Sequence, residues 1–236
     1  MRRAGQLALL FIVVVAAAVV PGRTQDVVDR MVAVVNKRVI LESELDQARR
    51  VELLLQGRPL TKDKPGSQET QALLDRLIDR SLLEQQIADP KILDPTPEEL
   101  AGRIKEIRSQ IPGAASEAGW KAVLSSYGLE QVDVEDHLIS EFRILHFIDL
   151  RFRGLVHVNN AEISAYYQDR LLPELRRQSA PAPPLNEVSG KIEKVLVEQH
   201  MDEMLGEWLQ TLRTQAHIEK LLSSDVSAGL APGGGT

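Results

Sequence analysis

The sequence predicts a mainly α fold: a multi-helix domain with a small β element formed by an N-terminal hairpin and a C-terminal strand. Three observations predict it. From about Ser43 to Gln215, apolar residues recur at three- and four-residue steps, the spacing of amphipathic helices. Ahead of them, Asp29 to Leu41 is a β-branched run interrupted at Asn36-Lys37. Behind them, "AHIEKLL", Ala216 to Leu222, reads as a strand.

The N-terminus comes first. "MRR" precedes an uncharged apolar run of 14 residues, Leu7 to Val20, and "PG" ends it. This layout is that of a secretory signal peptide, residues 1–22, with Val20 and Gly22 small enough for cleavage after Gly22. The run falls short of the ~20 apolar residues that span a bilayer. Cleavage leaves no stable membrane insertion; an uncleaved N-terminal anchor is the alternative.

In the next segment, Val32, Val34, Val35, Val39 and Ile40 favour a pleated surface, and Asn36 tolerates a left-handed turn. Ser43 with Asp46 has the spacing of a capping box, so a helix is expected from there to about Gly57. Thr61 to Glu69 is a polar loop. Leu73, Leu74, Leu77, Ile78, Leu82 and Ile87 then mark the clearest helix, stopped by Asp89-Pro90. Thr96, Pro97 and Glu99 open another, with Leu100, Ile104, Ile107 and Ile111 in one stripe. A short helix from Ser116 to Tyr127 closes at Gly128. A longer one from about Glu130 to Phe152 carries Val134, Leu138, Phe142, Leu145 and Ile148 on one side.

Asn159 and Glu162 are spaced as a further capping pair, for a helix that fades at Leu172-Pro173. Residues 171–184, which include "RRQSAPAPP", read as an extended Pro-rich linker. Leu185 to Gln215 is helical again. Residues 223–236 have the composition of a disordered tail. The expected organisation is one discontinuous domain over 23–222, built from 29–170 and 185–222. The hairpin should pair with the terminal strand, and charge at Val34 or Val39 should then destabilise the whole fold.

Composition excludes several functions. The formal charge of −6 gives no basic footprint for nucleic acid. There is no cysteine, so disulfides and cysteine-linked lipid anchors are out. None of the five histidines forms a zinc-type pair; His200 and Glu203 lie three apart on one helix, a spacing that ordinary solvated faces also show. No nucleophile–base order and no phosphate loop stands out. The sequence therefore offers no catalytic residue, no metal site and no cofactor.

Binding surfaces are the better search. Met201, Met204 and Trp208 share a helix at steps of three and four, and methionine adapts to varied apolar partners. Trp120 and Tyr127 lie seven apart on another helix. These five are the candidate client-binding residues, with plain core packing as the alternative for each.

The order of elements resembles a known family. "VVDRMVAVVNKRVILESELD" resembles the opening of SurA-type periplasmic chaperones and related exported parvulin foldases, matching at Val32, Ala33, Val34, Val35, Asn36, Val39, Ile40, Leu41, Ser43 and Glu44. "VHVNNAEISAYYQDR" is similar to the segment that enters their parvulin domain, at Val156, Val158, Glu162, Ile163, Tyr166 and Tyr167. "PLNEVSGKIEKVLVEQHMDEMLGEWLQTLRTQAHIEKLL" looks like their C-terminal helix and strand. Isomerase members carry about a hundred residues between the last two segments, whereas Leu171 to Pro184 is too short to bury a core.

The resemblance thus implies a helical SurA N-terminal-like chaperone module without the isomerase. It implies a periplasmic, ATP-independent protein whose partners are unfolded or partly folded exported polypeptides, outer-membrane proteins among them. A parvulin-type peptidyl-prolyl isomerase and a fixed-partner envelope assembly subunit are the alternatives.

Overall fold

The computed structural model describes residues 29–61 and 65–222. The signal peptide and the tail expected from the sequence lie outside these residues. Strands β1 (Met31–Val35) and β2 (Arg38–Leu41) form the hairpin. Asn36 turns it with φ 58°, a conformation that Asn adopts more readily than most residues. Strand β3 (Ile218–Lys220) adds to the other edge of β1, antiparallel, giving the order β2-β1-β3. The mainly α architecture with a small sheet closed by the chain's two ends is therefore present as expected.

Two side-chain contacts of Asn36 reinforce the closure. Its Oδ1 accepts from the His217 backbone N–H at 2.9 Å, and its Nδ2 donates to Gln85 Oε1 at 2.8 Å. Its own backbone N–H donates to the His217 carbonyl at 2.7 Å. One turn residue thereby joins the hairpin, the terminal strand and a helix end.

A bulge between Met31 and Ala33 breaks the alternation of β1, so Val32 and Ala33 are both buried, together with Val35 and Ile40. Val34 and Val39 are cross-strand partners on the opposite face. Val39 is 39% exposed and Val34 half-buried, so neither is the deep position the sequence suggested.

Helix α1 (Glu42–Leu55) follows β2 without a loop. The expected Ser43–Asp46 box is absent. Asp29, from the far side of the hairpin, instead accepts from the Ser43 N–H at 3.2 Å and from its hydroxyl, while Asp46 pairs with Arg50. Helix α2 (Ser67–Glu84) begins inside the segment read as a polar loop and ends five residues ahead of Asp89. A 3-10 turn, Pro90–Leu93, leads to α3 (Pro97–Gln110), which starts with the expected Thr96–Glu99 box.

Helix α4 (Glu117–Ser126) is capped by Ser116 and ends at Gly128, φ 64°. Gly119 is required here: a Cβ would stand 1.9 Å from the Gly113 carbonyl oxygen. Helix α5 (Gln131–Phe152) matches the sequence reading, except that Leu145 is 52% exposed. Helix α6 (Asn160–Tyr166) has the Asn159–Glu162 box.

The chain does not fade at Pro173. A π turn, Tyr167–Leu171, passes into α7 (Leu172–Arg177). Proline removes one N–H and crowds the carbonyl four residues back; that carbonyl belongs to Asp169, inside the wide turn, so the helix continues. Only residues 178–184 of the expected 171–184 linker are extended or turned. Tyr167 fastens that strap by donating its hydroxyl to the Pro183 carbonyl at 2.8 Å. Helix α8 (Leu185–Gln215) closes the helical part.

Three apolar clusters hold these elements. The first joins the sheet to α1, α2 and the end of α8, through Ile40, Leu74, Ile78, Leu82 and Leu212. The second joins α1, α3, α4 and α5, around Trp120, Leu124, Val134 and Leu138. The third is small, Ile163, Ile192 and Leu196 between α6 and α8, with Tyr166 and Tyr167 against it. Helix α8, about 46 Å long at 1.5 Å per residue, reaches from the first cluster to the third. At its C-terminal end Arg213 donates to Asp79 at 2.6 Å, and Lys220 pairs with Asp75 at 2.7 Å. The carboxylate bonds hold the Arg213 guanidinium even more firmly charged than usual.

Candidate client-binding grooves

The second and third clusters leave part of the helices that form them uncovered. Helix α3 buries only Ile107 fully; Leu100, Ile104 and Ile111 are half-buried. Because α3 offers a single narrow stripe on an otherwise polar cylinder, it closes against α5 along one line and leaves a gap beside it. The gap is a groove of about 760 Å³, with Leu100, Ala101 and Ile104 on the α3 side and Gln131 and Glu135 on the α5 side. A second concavity of about 650 Å³ adjoins it between α4 and the start of α5, with Trp120, Leu124 and Leu129 in its wall. The two share Glu117 and Gln131.

A third, smaller slot of about 220 Å³ lies along α8, walled by Tyr166, Leu171, Leu175, Pro183, Ile192 and Val195. Its walls are almost entirely apolar. The slot lies between the segment from α6 through the π turn to α7, the Pro183 strap and α8. The most exposed large apolar residues lie elsewhere: Ile92, 78%, in the 3-10 turn before α3; Leu150, 75%, on α5; and Leu155, 61%, in the 3-10 turn after it.

The five residues singled out in the sequence fall in different places. Trp120 is 2% exposed and packs inside the second cluster, with the Arg108 guanidinium 5.9 Å from its ring centre. Tyr127 is buried there too and donates its hydroxyl to the Arg58 carbonyl at 2.7 Å. Met201 is buried, and Met204 is half-buried. Trp208 packs on the first cluster, edge-on to Phe152 at 5.7 Å, under the Arg151 guanidinium at 4.2 Å. The structure does not bring the five together: Trp120 alone among them borders a groove described above.

The groove residues Leu100 and Ile104 had been visible as a stripe, but a stripe does not say whether a partner covers all of it. Leu171 and Leu175 were hidden by the Pro/Ala-rich composition that follows them; their i, i+4 spacing was the usable signal.

Among the described residues there is no group of three or more side chains arranged to hold a metal ion. No described helix is long and apolar enough to cross a membrane. At His137, burial, and then the Arg80 guanidinium 3.1 Å away, lower the pKa to about 4. The ring is a neutral acceptor for Arg80 between α2 and α5, away from the grooves.

The model of the SurA-like N-terminal domain matches residues 1–148, more than half of the chain. The chain belongs to the SurA-like N-terminal domain family. That family is chaperone-related and periplasmic. No parvulin domain is present among the described residues; the SurA-like chain spends residues 167–184 on the π turn, α7 and the strap. A search of curated proteins found no match.

Proposed function

We propose that this SurA-like protein is an ATP-independent periplasmic chaperone that holds unfolded or partly folded exported polypeptides, outer-membrane β-barrel precursors among them, without isomerase activity. The observation that carries this reading is the groove between α3 and α5. It is open, encloses about 760 Å³, and has an apolar wall of Leu100, Ala101 and Ile104. Client apolar side chains would be buried there transiently, which needs no nucleotide or cofactor. The export signal read at residues 1–22 and the acidic charge fit a soluble periplasmic holdase. Residues 29–170 and 185–222 act in this reading as one discontinuous unit. Trp120, in the adjoining wall, is the client-side reporter; Tyr127 packs in the same cluster behind it, while Met201, Met204 and Trp208 line none of the three concavities.

The test is suppression of light scattering when a urea-denatured outer-membrane protein is diluted into near-stoichiometric chaperone. The wild type should suppress aggregation. Leu100→Ser and Ile104→Ser should each weaken peptide affinity about fivefold, since half-burying such a side chain is worth about 1 kcal/mol. Trp208→Phe leaves Trp120 as the sole tryptophan, so its fluorescence should report occupancy. No suppression together with no peptide binding would sink the reading. Acceleration of a proline-limited refolding reaction would instead favour an isomerase, and capture of one stoichiometric partner an assembly subunit.

A further inference from the structure

The two outer strands of the sheet present different edges. In β3, the His217 carbonyl accepts from the Asn36 N–H at 2.7 Å, and the Leu221 N–H donates to the Val32 carbonyl at 2.9 Å. Backbone groups alternate in direction along an antiparallel strand. The odd-numbered residues of this stretch therefore face β1, and Ile218 and Lys220 turn their N–H and C=O groups away from it. None of those groups has a hydrogen-bond partner among the described residues. On the other edge the register leaves Val39 alone in this position, because Leu41 is already the N-cap of α1.

The side chains of β3 divide between the two faces of the sheet. Ile218, opposite Val35, packs on the first cluster, and Lys220, opposite Ala33, reaches Asp75 of α2 at 2.7 Å. Glu219, opposite Val34, stands exposed on the outer face. Its nearest cations along the chain, Lys220 and Arg213, are held by Asp75 and Asp79. Glu219 itself has no ion pair among the described residues. Leu221, 36% exposed, follows two positions on. The open edge thus carries an unmatched negative charge with an apolar side chain beside it.

We infer that the free edge of β3 takes an extended polypeptide segment as an antiparallel fourth strand, with a Lys or Arg of that segment opposite Glu219 and an apolar residue against Leu221. A second copy of this chain is the poorer occupant. Two β3 strands paired about a two-fold axis through their Ile218 and Lys220 groups set Glu219 against Glu219, and like charges directly opposite destabilise a strand pair. A basic residue there is favourable instead. Main-chain bonds supply the contact and alternate side chains the selectivity, which suits partners of varied sequence. That these segments belong to exported clients rests on the function proposed above; the strand addition does not.

The test is residue-resolved amide exchange of the full chain by NMR, with a short peptide of alternating valine and threonine carrying a central lysine. In the free chain the Ile218 and Lys220 amides should exchange fast and the Leu221 amide slowly. Saturating peptide should slow the first two several-fold. Lys220→Pro removes an N–H that the fold does not use, the placement that edge strands tolerate. It should weaken binding at least about fivefold relative to Lys220→Ala, which loses only the contact with Asp75. The wild type should prefer the lysine peptide to its glutamate counterpart by about two- to fivefold, and Glu219→Lys should reverse the order. No slowing by peptide, or equal binding by the proline and alanine variants, overturns the inference. So does slow exchange of both amides without peptide: at every protein concentration it means that the chain covers its own edge, and only at high concentration that a second copy does. An unchanged preference in Glu219→Lys overturns the charge rule. If peptide slows these amides but aggregation is not suppressed, the holdase reading fails and the strand addition stands.

Discussion

Replacing Asn36 by glycine would isolate the clasp that joins the two ends of the fold. Glycine accepts the φ of 58° without strain, and its extra freedom in the unfolded chain roughly offsets the relief of the Asn backbone. The backbone bond from residue 36 to the His217 carbonyl survives. What is lost is the pair of side-chain bonds, from the His217 N–H and to Gln85 Oε1. At about 0.5–1.5 kcal/mol each, the loss is about 1–3 kcal/mol. Asn36→Ala loses the same bonds and must also hold a Cβ in the left-handed region, adding about 1–2 kcal/mol. The assay is urea unfolding followed by far-UV circular dichroism, with melting as a second measure at roughly 2–4 °C per kcal/mol for a chain of this size. The expected order is wild type, then glycine, then alanine. A glycine variant that unfolds with the wild type would show that the side-chain clasp contributes nothing. Equal loss in both variants would refute the argument from backbone conformation.

The sheet face can be tested by charge: Val35→Asp buries a carboxylate at a fully enclosed site and should cost more than about 4 kcal/mol, whereas Val39→Asp should cost under about 1 kcal/mol. Equal denaturation midpoints for the two would overturn the assigned inner face. His137 predicts an acid dependence, because its folded pKa is lowered to about 4 while the unfolded ring titrates near 6.5. The unfolded state takes the proton first, so stability falls as pH drops from about 6.5 to about 4, by at most about 3 kcal/mol. Denaturation midpoints of wild type and His137→Gln should therefore diverge across this window, with the shallower slope in the variant; parallel curves would refute it.

Much of the fold was legible because its signals are local. The Thr96–Glu99 and Asn159–Glu162 boxes, the Gly128 stop and the limits of α8 each depend on a few neighbouring residues. The pairing of β1 with β3 was legible because a β-branched hairpin at one end and a short strand-like segment around Ile218 at the other had no other partner in a helical chain. What failed depended on distant groups. The start of α1 is held by Asp29 from across the hairpin, which outcompetes the local Ser43–Asp46 pair. The bulge in β1 moved Val32 inward against simple alternation. Helix α7 continues past Pro173 because a π turn precedes it, and π turns leave no reliable mark in composition. The grooves were least legible, since a half-covered stripe and a fully covered one read alike. Trp120 and Tyr127 drew notice for lying seven residues apart, and a stripe that packs into a core has the same spacing.

The position of β3 also has a consequence for the order in which the molecule can be completed. A chain made and delivered from its N-terminus presents β1 and β2 first, and the free edge of β1 waits for residues 218–220. Closure across nearly the whole chain is a slow, non-local step. Until it occurs, an unpaired strand edge stands open to any other extended chain. A protein of a chaperone-related family is thus itself incompletely folded until almost its last described residue arrives. Its own nascent form is exposed to the hazard from which its clients would be shielded.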